Sequence, residues 1–457
     1  MGHTGPSGST PASGRFRAHP DTPTFAQPRC APPPCSDSDE GKPVASSPTP
    51  PRLVAVIGAG AAGLLAALTA ARSGCSVVLI EGTPDGGRKI LISGGGRCNI
   101  LPSLAQPERY VTDSSPNTLK KMLRSWPLAE QRAFFEAELG IPLELEEESG
   151  KLFPASNKAR DVRDGLVRQV REAGVKIWFG TRLTNLAQIE GGWRLDLEGS
   201  PPVDASAVIL ATGGLSVPAT GSDGFGLDAA RALGHVVTPT YPALTPLTAT
   251  PHPHAALAGV SLTATLTAPG SRPAFSTTGG FLITHRGWSG PTVLDVSHLA
   301  IRGATGGGRQ EIHAQWTPYD AAEWDKRLRE GAGTVRSRLS DELPRRLVDA
   351  LLAETDVEPE RKCSQLRREH RLRVVSALTS YPLAWTGDEG YKKAEVTGGG
   401  VALSEIDPRT MESRRTPGLF FCGEILDAFG PIGGHNFLWA WATGQAAGAG
   451  AAAMVGR

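Results

Sequence analysis

The sequence predicts an α/β protein: a nucleotide-binding domain made from both ends of the chain, with a β-rich domain and a small helical insert between them. Three observations predict it. Near the start, an apolar strand-like run enters a glycine turn that opens a helix. Near the end, the same punctuation of strand, glycines and helix returns. Between them the chain changes to prolines, threonines and short alternating runs.

The first signal is the sharpest. Leu53-Val54-Ala55-Val56-Ile57 is continuously apolar, as in a strand buried on both faces of a parallel sheet. It leads into Gly58-Ala59-Gly60-Ala61-Ala62-Gly63 and an Ala- and Leu-rich helix over 64–72, stopped by Ser73-Gly74. A second strand, Ser76-Val77-Val78-Leu79-Ile80, ends on Glu81. Strand, GxGxxG, helix, strand and acid in this order form the Rossmann dinucleotide pattern. Gly58 permits the tight turn, Gly60 lets a pyrophosphate approach the backbone, and Gly63 allows close helix–strand packing. The helix start offers free N–H groups and the positive end of its dipole to phosphates. Glu81 suits a ribose 2′-hydroxyl and would repel a 2′-phosphate.

Residues 86–99 place Ile90-Leu91-Ile92 between two glycine clusters, Gly86-Gly87 and Gly94-Gly95-Gly96. Such a stretch can bend closely around a cofactor while Arg88, Lys89 and Arg97 offset phosphate charge. Helical spacing follows over 118–139, a short extended piece over 141–145, and another helix over 159–173. Residues 175–179 read as a strand, and 183–189 with 193–197 as a hairpin around Gly191-Gly192. The run Val208-Ile209-Leu210-Ala211-Thr212-Gly213-Gly214 is a further buried strand ending in a glycine turn, expected beside the first strand.

From about residue 235 short alternating runs (262–266, 281–284 and 311–316) suggest an antiparallel or barrel-like domain. Residues 318–372 are charged and helical, with helices expected at 324–329, 335–343, 347–352 and 363–372. Residues 418–427 read as a strand ending in Asp427, and Gly433-Gly434-His435-Asn436 opens a long final helix. This sets a second helix N-terminus at the carboxyl end of a strand, where α/β ligand sites form. Its amides suit a flavin pyrimidine carbonyl, and Asp427 suits ribityl hydroxyls. The expected organisation is a disordered extension over 1–51, nucleotide-binding parts at 52–235 and 395–457, β-rich parts at 236–317 and 373–394, and the insert at 318–372.

Composition narrows the function classes. Lys+Arg number 47 against Asp+Glu 46, a net charge of +1, which gives no sign of a polyanion partner. The six cysteines (Cys30, Cys35, Cys75, Cys98, Cys363 and Cys422) are too scattered for a zinc site or a disulfide framework, and no CxxC supplies a dithiol relay. A cytoplasmic, reducing setting is the default. The start of the chain lacks the apolar core of a signal peptide, and the mostly apolar stretch 437–455 is interrupted by Thr443, Gln445 and glycines. No membrane or nucleic-acid partner is expected, and no metal.

The runs GAGAAG, KILISGGGRCN, LFP, ILATGG, THRGWSGP, EVTGGGV, TMES and FCGEILDAFGPIGGHNFLWAWATG together carry a family resemblance over roughly residues 52–455. The chain resembles the bacterial aminoacetone-oxidase-like or BaiN/RdsA-type NAD(P)/FAD-dependent oxidoreductases. The resemblance implies a Rossmann-type FAD domain of the glutathione-reductase/fumarate-reductase kind, with an inserted β-rich substrate domain. It implies non-covalent FAD held by residues 58–63 (Gly58, Ala59, Gly60, Ala61, Ala62, Gly63), Glu81, Arg88, Lys89, Ser93, Gly94, Gly95, Gly96 and Arg97. Ala211, Thr212, Gly213, Gly423, Asp427, Gly434, His435, Asn436 and Phe437 complete the implied contacts. The chain has Gly279-Gly280 where a Gly-Glu pair is usual in that family.

FAD carries the redox step in such a protein, so the expected reaction is hydride exchange between the flavin and a small organic substrate. Only one full dinucleotide fingerprint is present. NADH or NADPH would therefore bind as co-substrate without a Rossmann domain of its own, or oxygen would reoxidise the flavin in an amine or aminoketone oxidase. For catalysis His285, before a Gly-Trp-Ser-Gly-Pro turn, and Arg97 are the candidates; Cys98, His435 and Lys393 carry less signal. Two other classes stay open: a tRNA-modifying flavoprotein, which would need a basic groove, and a non-catalytic FAD-binding or electron-transfer protein.

Overall fold

The computed structural model describes residues 52–271, 273–305 and 309–456. The extension 1–51, with Cys30 and Cys35, lies outside them.

The strand Leu53–Ile57 forms where the sequence is uninterrupted and apolar, and Val54 to Val56 are fully buried. It sits at the centre of a five-stranded sheet, flanked on one side by Ser76–Glu81 and then Lys176–Phe179, on the other by Ala207–Leu210 and then Leu419–Phe421. All four pairings are parallel. Register brings Ile57 level with Ile80 and Leu210, and Leu210 level with Phe421. Four strands thus stop together, and the residues that follow them share one edge of the sheet.

Two helices cover this sheet from one side. The fingerprint helix Ala61–Arg72 packs against the final helix His435–Val455. Their approach is set by small residues: a Cβ on Gly444 would lie 2.5 Å from the Ala62 carbonyl oxygen, and one on Gly448 would overlap the Ala66 carbonyl. The final helix is buried on almost every face, which explains its apolar composition. Among the described residues no helix is long and apolar enough to cross a membrane.

A second apolar core lies between Leu247 and Trp385. Its centre is a seven-stranded sheet in which Ser261–Ala268 and Phe275–Ile283 pair along eight antiparallel positions. The helix Arg368–Thr379 packs against the strand His313–Gln315, Ala321–Glu330 and Arg345–Glu354 pack on that helix, and Val335–Ser340 packs on Arg345–Glu354. The helix Arg368–Thr379 runs seven residues past the helical stretch read from sequence, because Val374, Val375 and Leu378 continue the buried stripe. The helix Pro291–Thr305 has no counterpart in the sequence reading. It links the cores: its Asp295 accepts from Ile432 N at 2.8 Å and pairs with Arg109 at 3.1 Å.

Other differences are local. The helical spacing over 118–139 becomes Pro116–Leu123 and Leu128–Ala133 followed by a π-type turn, Phe134–Glu138, broken where Pro127 cannot donate. The hairpin gains a third strand, Ser200–Ala205. The stretch 86–99 forms a short helix, Arg88–Ile92, and a turn, Ser93–Gly96, in which Gly94 and Gly95 have φ of 55° and 68°.

Replacing Gly448 by Leu forces the two helices apart and is expected to destabilise the protein by about 1–3 kcal/mol, the usual cost of overpacking a tight contact. Ala453→Leu, on the exposed face of the same helix, is the control. Urea unfolding of both variants checks this; equal midpoints would show that the small-residue contact does not set the packing.

Candidate functional site

A cavity of about 730 Å³ opens where the four strands end. Its volume is within the range of small-molecule and cofactor sites. Ile57 and Gly58, Ile80 and Glu81, Ala211 to Gly213, and Gly423 each follow or end one strand and line it. The level register is why they meet.

The glycine turn has the local geometry that a dinucleotide needs. Gly58 has φ of 100°, and a Cβ there would lie 2.5 Å from the Ala211 carbonyl. A Cβ on Gly63 would overlap the Gly58 carbonyl, so neither position accepts a side chain. Gly60 differs: a Cβ there meets no protein atom within 4 Å. That space belongs to the cavity, beside the N-terminus of the helix beginning at Ala61. Glu81 Oε2 accepts from Ala59 N at 2.7 Å, and Oε1 accepts from Thr83 N and Oγ1 at 2.8 and 2.7 Å. These bonds hold the carboxylate at the cavity wall. Thr212, also on the wall, has a buried hydroxyl with no protein partner.

The opposite wall is the start of the final helix. Gly433 and Gly434 have φ of 116° and 89°, so the chain turns sharply into the helix. With its amide oriented to satisfy both groups, Asn99 accepts from Gly434 N at 3.0 Å and donates to Leu101 O at 3.3 Å. Asn436 bonds both ways with the Gly430 backbone, at 2.9 and 3.0 Å, and fixes the preceding loop. Phe437 stacks on Trp441 with ring centroids 5.4 Å apart. Gly423 is locked to the same helix by its N–H donating to Thr443 Oγ1 and its carbonyl accepting from Trp439 Nε1, both at 3.0 Å.

Between these walls is a polar network that the sequence did not reveal. Lys89 Nζ lies 2.5 Å from Glu424 Oε2 and 2.6 Å from Ser216 Oγ. Ser216 Oγ and Thr397 N donate to Glu424 Oε1, at 2.5 and 3.0 Å. Glu424 lines the cavity, whereas Asp427, three residues on, does not. The strand ends at Phe421 and a short turn over Gly423–Ile425 carries Glu424 to the wall. Asp427 faces away and accepts from Thr112 Oγ1, Asp113 N and Ser114 Oγ at 3.0–3.2 Å. Burial first, with the nearby Asp113 charge, pushes its carboxyl up to about 6 despite those bonds.

Most residues expected to hold the cofactor are brought to this one cavity: Gly58, Gly60, Ala61, Ala62, Glu81, Arg88, Lys89, Ser93, Gly94 and Gly95 from the first part of the chain. Ala211, Thr212, Gly213, Gly423, Gly434, Asn436 and Phe437 join them. Ala59 and Gly63 are buried behind the wall, and Gly96 is exposed and does not line it. Arg88 pairs with Asp85 at 2.7 Å, so it and Lys89 reach the cavity already engaged by acids. Arg97 is turned outward, 4.0 Å over the Phe153 ring and 3.0 Å from Glu146. His435 is buried against Tyr110, and burial, with Arg109 close by, holds its imidazole down to about 4. Cys98 is fully buried, and burial pushes its thiol up to about 12, which leaves it inert. His285 is exposed on the turn between Phe275–Ile283 and Gly287–Ser289, away from the cavity. Lys393 does line the cavity, with Lys392, Lys151 and Glu395.

The residues fit FAD on their own chemistry. The open space at Gly60 and the free amides of the helix start suit a pyrophosphate. Glu81 suits a ribose, while the Thr212 hydroxyl is packed against Gly226 and only the rest of that residue meets the cavity. Among the described residues no group of acids, histidines and cysteines is placed to hold a metal.

Residues 52–450 match the HI0933-like protein Rossmann domain family. Two curated relatives span nearly the whole described chain. A ribosomal RNA dihydrouridine synthase of Escherichia coli (strain K12) is 34% identical over 86% of this chain and 96% of its own. A 3-dehydro-bile acid delta(4,6)-reductase of Clostridium scindens is 33% identical over 87% of this chain and 98% of its own. Among solved structures, a 3-ketosteroid delta1-dehydrogenase from Sterolibacterium denitrificans aligns with 88% of this chain and 100% of its own, at 12% identity and a TM-score of 0.49.

Two substitutions test the site. Gly60→Val adds a side chain that meets only cavity, so the apoprotein should unfold within about 0.5 kcal/mol of wild type. FAD affinity should still drop at least about tenfold, a loss of about 1.4 kcal/mol. Fluorescence titration with FAD reads this, and wild-type affinity would place the cofactor elsewhere. Asp427 has a folded-state pKa above that of the unfolded chain. Its contribution is therefore fully present below the unfolded carboxylate value near 4 and is lost as pH rises through about 6. Asp427→Asn should remove on the order of 2 kcal/mol of that decline; parallel stability–pH curves for the two proteins would refute it.

Proposed function

The chain belongs to the HI0933-like Rossmann family of FAD-binding oxidoreductases, and on that premise we propose that it reduces a carbon–carbon double bond conjugated to a carbonyl, drawing on NADH or NADPH. The observation that carries this reading is that one cavity joins two kinds of wall. One end is a dinucleotide cradle of glycines, helix amides and Glu81, and the wall continues to unpaired ionisable side chains, Lys151 and Glu395.

When bound, FAD supplies two-electron hydride chemistry. The protein's part is to hold and orient it. The amides at the helix start and the open face of Gly60 would take the pyrophosphate, Glu81 a ribose, and Asn99 with residues 433–437 the ring. The Lys89–Glu424–Ser216 network fixes the wall between them, so that the site is preorganised before a substrate enters.

The names of the two relatives support the substrate class. A dihydrouridine is a uridine saturated across one ring double bond, and a delta(4,6)-reductase acting on a 3-dehydro bile acid saturates ring double bonds near a ketone. Their shared chemistry is hydride addition to a double bond activated by a carbonyl. A second reading, in which that double bond lies in a uracil ring of RNA, is favoured by the E. coli relative's name, while the net charge of +1 offers no basic excess for a polyanion. Oxidation of an aminoketone with oxygen as acceptor has no comparable support.

Anaerobic mixing of the holoprotein with NADPH or NADH should bleach the flavin band, and 2-cyclohexen-1-one or unmodified ribosomal RNA should restore it. The enone supports a small-molecule reductase, and RNA alone supports the second reading. Bleaching by aminoacetone and by neither nicotinamide would overturn both.

A further inference from the structure

Three segments meet at the far end of the cavity: the start of the strand Lys151–Pro154, the loop over 430–434, and Glu395 just before the strand Val396–Val401. Lys151 runs along the loop, with its Cε and Cγ 3.8 and 3.9 Å from where a Cβ on Gly433 would lie. Its ammonium has no hydrogen bond or ion pair among the described residues, although it lines the cavity. The backbone of Glu395 is tied on both sides: its N–H donates to Leu244 O at 3.1 Å and its carbonyl accepts from Ser216 Oγ at 3.3 Å. Its carboxyl, like the Lys151 ammonium, has no hydrogen bond or ion pair among the described residues. Lys151 lies across the strand pair from Glu146, which is itself bound by Arg97. That leaves the Lys151 ammonium and the exposed Glu395 carboxyl close enough to act on each other and both available to a ligand in the cavity.

We propose that Glu395 is the proton donor of the reaction and Lys151 the cation that holds the carbonyl oxygen of the substrate. The inference rests on the conjugated-reductase reading. In the step it completes, reduced FAD when bound would supply a hydride to the β-carbon of the double bond, and the electron pair of the double bond would move onto the carbonyl oxygen, held by Lys151. The α-carbon then takes the proton of Glu395 as the carbonyl re-forms. The product has gained one hydride and one proton, FAD is left oxidised, and the Glu395 carboxylate is reloaded from solvent.

The electrostatics of the pocket suit these roles. Glu395 is open to the cavity, but protein surrounds its other sides, and the second fact governs its ionisation once a ligand fills the space. Burial raises its carboxyl, Asp295 on the helix Pro291–Thr305 raises it further, and Lys151 partly opposes them. Asp295 is itself raised by burial against its bonds to Ile432 N and Arg109. The other charges on the cavity wall nearby are Lys392, Lys393 and the Lys89–Glu424 pair. A carboxyl that holds its proton more tightly than usual is better suited to act as a general acid.

p-Nitrophenolate, which bears its negative oxygen as an enolate does, is the probe, titrated into oxidised FAD-loaded protein and followed by absorbance without turnover. Wild-type affinity per phenolate should fall at least tenfold as pH rises and Glu395 ionises. Glu395→Gln should bind with no such fall, and Lys151→Met should bind at least tenfold more weakly at low pH. In single turnovers of reduced protein with 2-cyclohexen-1-one, Glu395→Gln should be slowed about 100-fold or more, with flavin reduction by the nicotinamide unchanged. A wild-type pH profile in Glu395→Gln, undiminished binding in Lys151→Met, or no phenolate binding in yellow wild-type protein would overturn the assignment. Protein that takes up no FAD, or whose flavin no nicotinamide reduces, would instead remove the reductase reading on which it rests.

Discussion

The structure depends on how closely its backbones approach at three glycines. Gly63 lets the fingerprint helix touch the turn at Gly58, Gly58 lets that turn touch Ala211, and Gly444 lets the final helix touch Ala62. Each contact leaves no room for a Cβ. Together they draw two helix N-termini and four strand ends to one place, from parts of the chain separated by hundreds of residues. The dipoles and free amides of those helices then face a common space. A nucleotide site follows from packing before any side chain is chosen to contact the ligand.

Division of labour between the two cores follows from this. The first core, holding the parallel sheet, builds a rigid cradle. The second attaches through Asp295, which takes Ile432 N and Arg109, so the helix Pro291–Thr305 braces the loop that begins the final helix. Glu395 stands where the chain crosses back from the second core to the first. That arrangement suits a family whose members act on substrates as unlike as ribosomal RNA and a bile acid.

Much of the cradle was legible because its signals are local. A continuous apolar run, three spaced glycines and a terminal acid fall within residues 53–81, and each has one physical job. What the sequence concealed is long-range or short-range geometry. Lys89 reads as a free cation for phosphate, yet its partner Glu424 is 335 positions away. Asp427 reads as the acid at a strand end, yet the strand stops at Phe421, and the turn after it presents Glu424 instead. The strand Ser200–Ala205 escaped because it contains Pro201 and Pro202, which only an edge strand tolerates, and it is an edge strand. The helix Pro291–Thr305 did carry a start signal, a proline at its first position, but the glycine-rich turn before it masked the signal. His285 and Arg97 were singled out by neighbouring motif residues, and sequence proximity to a motif says nothing about which way a side chain faces.

The central claim is that the glycine turn and the helix start behind it grip a dinucleotide by its pyrophosphate. Isothermal titration of flavin-stripped protein with FAD and, separately, with FMN tests it most directly. The account predicts one FAD per chain, bound at least about 100-fold more tightly than FMN, which lacks the adenosine and pyrophosphate that half of the cavity is shaped to hold. Equal affinity for FMN, or no binding of FAD, would contradict it.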